Sequence, residues 1–144
     1  MKDFRKVMVA VDGSDSSIRA ARVAARLADS LSVPLALIHV FPLMSNDIAG
    51  ALGMSATELE TLRDKAAANT FADVREQISD RELKIEEIAR VGDIAEEIIK
   101  YLDNDPEVLM VLGRRGRSVI GSLLLGSVSD KVLRHTRTPV MVVS

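Results

Sequence analysis

The chain has 144 residues and a mass of 15.6 kDa, which predicts one domain spanning residues 1–144. Its 47% hydrophobic and 28% charged residues exclude wholesale disorder, and the absence of cysteine excludes disulfides, thiolate catalysis and cysteine metal sites. The formal net charge of −2 is unevenly spread: residues 1–112 carry −7 and residues 113–144 carry +5, so the last quarter holds either an anion site or a solvated basic face.

In chain order, Val7 to Val11 is a short apolar run closed by Asp12-Gly13-Ser14, which reads as a buried strand and a turn. Residues 15–31 carry Arg19, Arg22, Arg26 and Asp29 at helical spacing, with Ile18, Ala21, Ala25, Ala28 and Leu31 on another face, predicting an amphipathic helix. Leu35 to Val40 is the second strand. Residues 41–53 have no clear period and contain Pro42, Gly50 and Gly53; a connection this long is often functional, and its place after strand two favours a lid. Ser55 and Glu58 form a capping-box pattern opening a helix with Leu59, Leu62, Ala66, Phe71, Val74 and Ile78. Leu83 to Ala89 alternates as a half-exposed strand. Asp93 and Glu96 mark a further capped helix bearing Ile94, Ile98, Ile99 and Leu102. Val108 to Leu112 is a continuous apolar strand ending at Gly113. A glycine- and serine-rich stretch then leads to a last helix, Ser127 to His135, and a closing strand, Val140 to Val143. Five strands alternating with helices predict a single α/β domain with a mainly parallel, doubly wound sheet.

Open α/β sheets bind ligands beyond the carboxyl ends of their strands, at the point where the strand order reverses. For the order 3-2-1-4-5 that point lies between strands one and four, where Asp12-Gly13-Ser14 and Gly113-Arg114-Arg115-Gly116 stand. A carboxylate suits ribose hydroxyls, and bare backbone N–H groups suit phosphates. The second turn continues as Gly113-x2-Gly116-x9-Gly126-Ser127 into a helix, and glycine lets the backbone come close to a phosphate. Ser127 either caps that helix or donates its hydroxyl to a phosphate oxygen. Arg114, Arg115 and Arg117 either supply charge there or form a solvated face, and Asp12 alone reads equally as a turn residue. Neither GxxxxGK[ST] nor a GxGxxG after strand one occurs, so neither a P-loop nor a dinucleotide fingerprint is present.

The run from Val111 to Val143, with Val111-Leu112-Gly113-Arg114-Arg115-Gly116, Leu125-Gly126-Ser127-Val128-Ser129 and Pro139-Val140-Met141-Val142-Val143, resembles the universal stress protein family. It is similar to that family's nucleotide-binding branch, whose motif is G-x2-G-x9-G-[ST]. Val9-Ala10-Val11-Asp12-Gly13-Ser14, His39-Val40 and Gly92-Asp93-Ile94-Ala95 extend the likeness over essentially the whole chain. The resemblance implies an adenine-nucleotide alpha-hydrolase-like fold, a five-stranded 3-2-1-4-5 sheet with ATP at the switch point. It places Asp12 at the nucleoside, the backbone of Val40 at adenine, and Gly113 with Leu112 beside the ribose. Gly116, Gly126, Ser127 and the N–H of Val128 would then hold the phosphates, with Ser122 a weaker member of that cluster. The resemblance also implies a homodimer through Val140 to Val143.

The remaining readings are plainer. His39, in an apolar strand, is expected to be a packed core residue, and His135 suits the dipole at a helix C-terminus. Neither has a partner at metal-ligand spacing, so Mg²⁺ is expected only as a companion of ATP phosphates. Four aromatic residues are too few for a base-stacking nucleic-acid surface. The start of the chain has no apolar leader and no stretch reaches a membrane-spanning length, so a cytoplasmic protein is expected. An ATP-binding regulatory protein, acting on an unidentified partner such as a transporter, is the leading expectation. A slow ATPase or nucleotidyl-transferring enzyme using the same pocket is the alternative.

Overall fold

Alternation along the strands decides the layering. In the computed structural model, which describes residues 4–42, 53–114 and 125–144, odd- and even-numbered strand residues point to opposite faces and both sets are buried. Val7, Val9, Val11, Leu35, Leu37 and Val111 pack under one pair of helices; Met8, Ile38, Val40, Val108, Met110 and Leu112 pack under another. Such two-sided burial forces a parallel sheet sandwiched between helical layers.

The elements run β1 (Lys6–Ala10), α1 (Asp15–Leu31), β2 (Leu35–Pro42), α2 (Ala56–Gln77), β3 (Ile85–Gly92), α3 (Ile94–Asn104), β4 (Val108–Gly113), α4 (Ser127–His135) and β5 (Val140–Val143). All strand pairs are parallel, in the order β3-β2-β1-β4-β5 expected above. α1 lies on the first face through Ala20, Ala21, Ala24, Ala25 and Ala28, and α2 joins it through Ala67, Phe71, Val74 and Ile78. α3 covers the second face with Ala95, Ile98 and Leu102, and α4 adds Val132. Among the described residues no helix is long and apolar enough to cross a membrane.

The helix starts follow their capping chemistry. Ser14, Ser55 and Asp93 each accept a backbone N–H from the residue three positions on, so the capping reading of Ser55 and Asp93 holds. Some boundaries and faces differ from expectation. β2 runs on to Pro42 and β3 spans Ile85–Gly92 instead of beginning at Leu83, because their ladder continues through Val40↔Arg90 to Pro42↔Gly92. Leu31 and Leu62, expected on packed faces, are exposed.

Candidate functional site

Above the tip of β1 the sheet reverses its winding, and the first-strand turn stands there. Asp12 accepts the Ser14 N–H at 2.8 Å through Oδ1, so the aspartate does form a local turn, as its plainer reading required. Gly13 has φ 84°, a left-handed conformation open to glycine at little cost. Ser14 then caps α1 by accepting from Ser17 N–H at 3.1 Å. Ser17, absent from the sequence reading, closes the turn by accepting the Asp12 N–H and donating to the Ser14 carbonyl.

On the β2 side, His39 is buried as expected. Its Nδ1 lies 2.8 Å from the Val11 carbonyl oxygen, and its ring meets Phe71 edge-on. Val40, next along β2, is 6% exposed, with its side chain in the second core. On the β4 side, Leu112 also turns its side chain into that core, so any part it plays beyond the strand belongs to its backbone. Gly113 ends β4 against the first turn of α1. A Cβ there would stand 2.6 Å from Ser16 Oγ and 2.9 Å from the Ser16 carbonyl oxygen, so the glycine is demanded by packing before any ligand is considered.

Gly113 and Arg114 also meet the start of α4. Ser129 Oγ donates to the Gly113 carbonyl at 2.8 Å, Gly126 N–H donates to the Arg114 carbonyl at 2.7 Å, and Arg114 N–H donates to Val143 at 2.8 Å. With the packing of Ser16 against Gly113, these contacts bring the first turn of α1, the end of β4 and the start of α4 together. Gly126 is the N-cap of α4 and makes no side-chain capping bond; Ser127 is the first helical residue and is exposed. Of the two readings of Ser127, the helix cap is therefore not the one the structure shows. The first-turn N–H groups of α4, including that of the half-buried Val128, project from a helix end with no side-chain acceptor. Ser16, Ser17 and Ser129 were missed as site-building residues. The serine runs at residues 14–17 and 127–129 were the available signal.

Arg115, Gly116 and Ser122 lie outside the described residues, as do Arg117 and most of the expected lid at residues 41–53. Further along the basic quarter, Lys131 faces Glu96 at 3.4 Å and Asp93 at 3.6 Å, and Arg134 pairs with Asp130 at 3.0 Å. A shallow groove of about 580 Å³ lies elsewhere, between the end of α2 and the start of β3. Both arginines lining it are already engaged, Arg75 with Glu87 and Arg81 with Asp29. Among the described residues no group of three or more His, Asp or Glu side chains is placed to hold a metal ion.

Comparison with known proteins shows the family. Residues 3–144 match the model of the universal stress protein family. The universal stress protein YxiE of Bacillus subtilis is 29% identical over 97% of this chain and 99% of its own length. Universal stress protein UspA from Lactobacillus plantarum superposes with a TM-score of 0.78 at 22% identity, covering 100% of both chains. A universal stress protein solved in complex with cAMP gives a TM-score of 0.67 at 26% identity, covering 99% of this chain and 98% of its own. The chain belongs to the universal stress protein family.

Proposed function

We propose that this chain is an ATP-binding regulatory protein that holds the nucleotide above β1 and works by binding, without a catalytic step of its own. The observation that carries the reading is the α4 N-terminus. It is the one helix start among the described residues without a side-chain cap, and Ser129 and Gly126 tether it to the backbone of Gly113 and Arg114 beside the switch point. Uncompensated N–H groups at the positive end of a helix favour a phosphate. In this reading Gly126, Ser127, the Val128 N–H and, in the G-x2-G-x9-G-[ST] motif, Gly116 receive the phosphates, with Ser122 and the Arg114-Arg115 pair nearby. Asp12 in its Gly13-Ser14 turn faces the ribose with Gly113 and Leu112, and the Val40 backbone faces adenine. The relative solved with cAMP supports an adenine nucleotide as the ligand class. ATP brings three phosphates to those donors, and Mg²⁺ would accompany them.

The same reading includes a homodimer through β5. This strand is the sheet edge beyond β4, with Met141 exposed and Val140, Val142 and Val143 half-buried. A paired partner strand would satisfy and cover that edge. Regulation then means that bound nucleotide changes what the dimer can engage.

ATP titration against thermal stability tests the proposal. Binding raises the unfolding midpoint with concentration, by about 2.7 kcal/mol of added stability at one hundred times Kd. Gly126→Val is expected to weaken ATP at least about tenfold by placing side-chain bulk at the helix cap. No midpoint shift at millimolar ATP, and no nucleotide released from denatured purified protein, would overturn the reading.

A further inference from the structure

We propose that His39 is a positioning residue for the nucleoside: by taking the Val11 carbonyl it ends the β1–β2 ladder one bond early and leaves the Val40 backbone open above β1. The inference rests on the nucleotide reading above and adds to it a residue that touches no ligand.

Register decides which backbone groups of β2 face β1. β2 uses alternate residues toward its two neighbours. Leu35 N–H donates to Lys84 on the β3 side, whereas the Pro34 and Ile38 carbonyls accept from Val7 and Val11 on the β1 side. Even-numbered residues of β2 therefore turn their N–H and C=O groups toward β1. The regular β1–β2 pairing ends at Ala10↔Ile38, and Val11 N–H to Ile38 at 2.9 Å is the last bond of that ladder. The next rung of a parallel ladder would run from Val40 N–H to the Val11 carbonyl. That bond is not made. The Val11 oxygen is held at 2.8 Å by His39 Nδ1 instead.

A carbonyl oxygen can only accept, so Nδ1 carries the proton and the tautomer is set by this contact. Phe71, edge-on at 6.4 Å between centroids, and the surrounding core hold the ring in place. Two consequences follow from one hydrogen bond. Val11 is pinned at both ends, by Ile38 through its N–H and by His39 through its carbonyl, which sets the direction in which Asp12 leaves the sheet. Val40, 6% exposed, keeps a donor and an acceptor facing the space beyond the end of β1, without a partner in the sheet on that side. A buried N–H and C=O in that state favour a ligand edge that offers one acceptor and one donor, as a purine base does. His39 thus substitutes a side chain for a rung of the sheet, and the released backbone is what reads the base.

The test uses the full chain and ATP. His39→Leu is expected to raise the ATP Kd at least about tenfold, because the Val11 carbonyl is freed to take back the Val40 N–H. His39→Asn puts an amide N–H close to the Nδ1 position and is expected to recover most of that loss. Equal ATP affinity in wild type and His39→Leu, or a loss that His39→Asn does not repair, overturns the inference while leaving the binding reading intact. Absence of ATP binding by the wild type overturns both. Should His39→Leu fail to fold, the wild type still decides. Without ATP, the Val40 amide must exchange faster than the Ile38 amide inside the ladder, and equal protection of the two refutes the role.

Discussion

The two ends of the sheet solve opposite problems. At the end where the strands begin, side chains satisfy one another. Lys6 Nζ reaches Tyr101 Oη at 2.7 Å, Glu86 at 3.0 Å and Asp105 at 3.3 Å, while Arg5 adds bonds of 2.7 Å to Asp105 and Glu107. Burial alone would depress the Lys6 ammonium, but its hydrogen bonds to Tyr101 and Glu86 outweigh that and hold it well above the ordinary lysine range. At the end where the strands finish, backbone groups are left over: the Val40 N–H, the first turn of α4, and a glycine where α1 crowds β4. One end spends its polar groups on stability, and in the proposed reading the other keeps them for a ligand.

The largest effect that would break this contrast is at Gly113. Gly113→Val forces side-chain atoms against the Ser16 backbone, and an expected loss of about 3 kcal/mol should appear in urea denaturation of ligand-free protein. Unchanged stability would mean that the glycine serves only the ligand. Next is Lys6→Met, which leaves the largely buried Asp105 without its nearest buried cation and should destabilise by about 2 kcal/mol. That difference has a pH signature. Folded Lys6 holds its proton more tightly than the unfolded chain, whose ordinary value is 10.5, so its contribution is complete below that value and fades as pH rises above it. The stability gap between wild type and variant should therefore be full at pH 8 and begin to narrow, without closing, by pH 11. A gap that widens with pH would refute the assignment. The smallest effect is at Ser32, which holds φ 56° at the C-cap of α1, also at the strand-start end. Ser32→Gly should raise stability by about 0.5 kcal/mol, measured by the same denaturation, because the left-handed conformation suits glycine.

Much of the fold was legible because it is written locally. α1 begins and ends where the spacing of its arginines and alanines predicts, and the starts of α2 and α3 sit on the expected capping residues. β3 runs on past Ala89 because Arg90, Val91 and Gly92 are recruited by pairing with β2. Leu62 illustrates the same limit from the other side: helical spacing puts it on a face, but only the packed molecule decides whether that face meets the sheet. At the site, Asp12, Gly113 and Gly126 stood out by residue type. The roles of Ser16, Ser129 and His39 did not, because each depends on a contact with a residue distant in sequence: Gly113 for the two serines and Val11 for the histidine.

The bonds from Gly126 to Arg114 and from Ser129 to Gly113 have a further consequence, one of chain entropy. They fix the two ends of the segment between Arg114 and Gly126 at one point of the fold, so loop closure is settled by the protein itself and need not be charged to the ligand. Lengthening that segment would then add only about 0.6 kcal/mol of closure entropy per doubling. In the proposed reading, a ligand that contacts both ends, and not closure of the chain, would set the tighter limit on the spacing between Gly113 and Gly126.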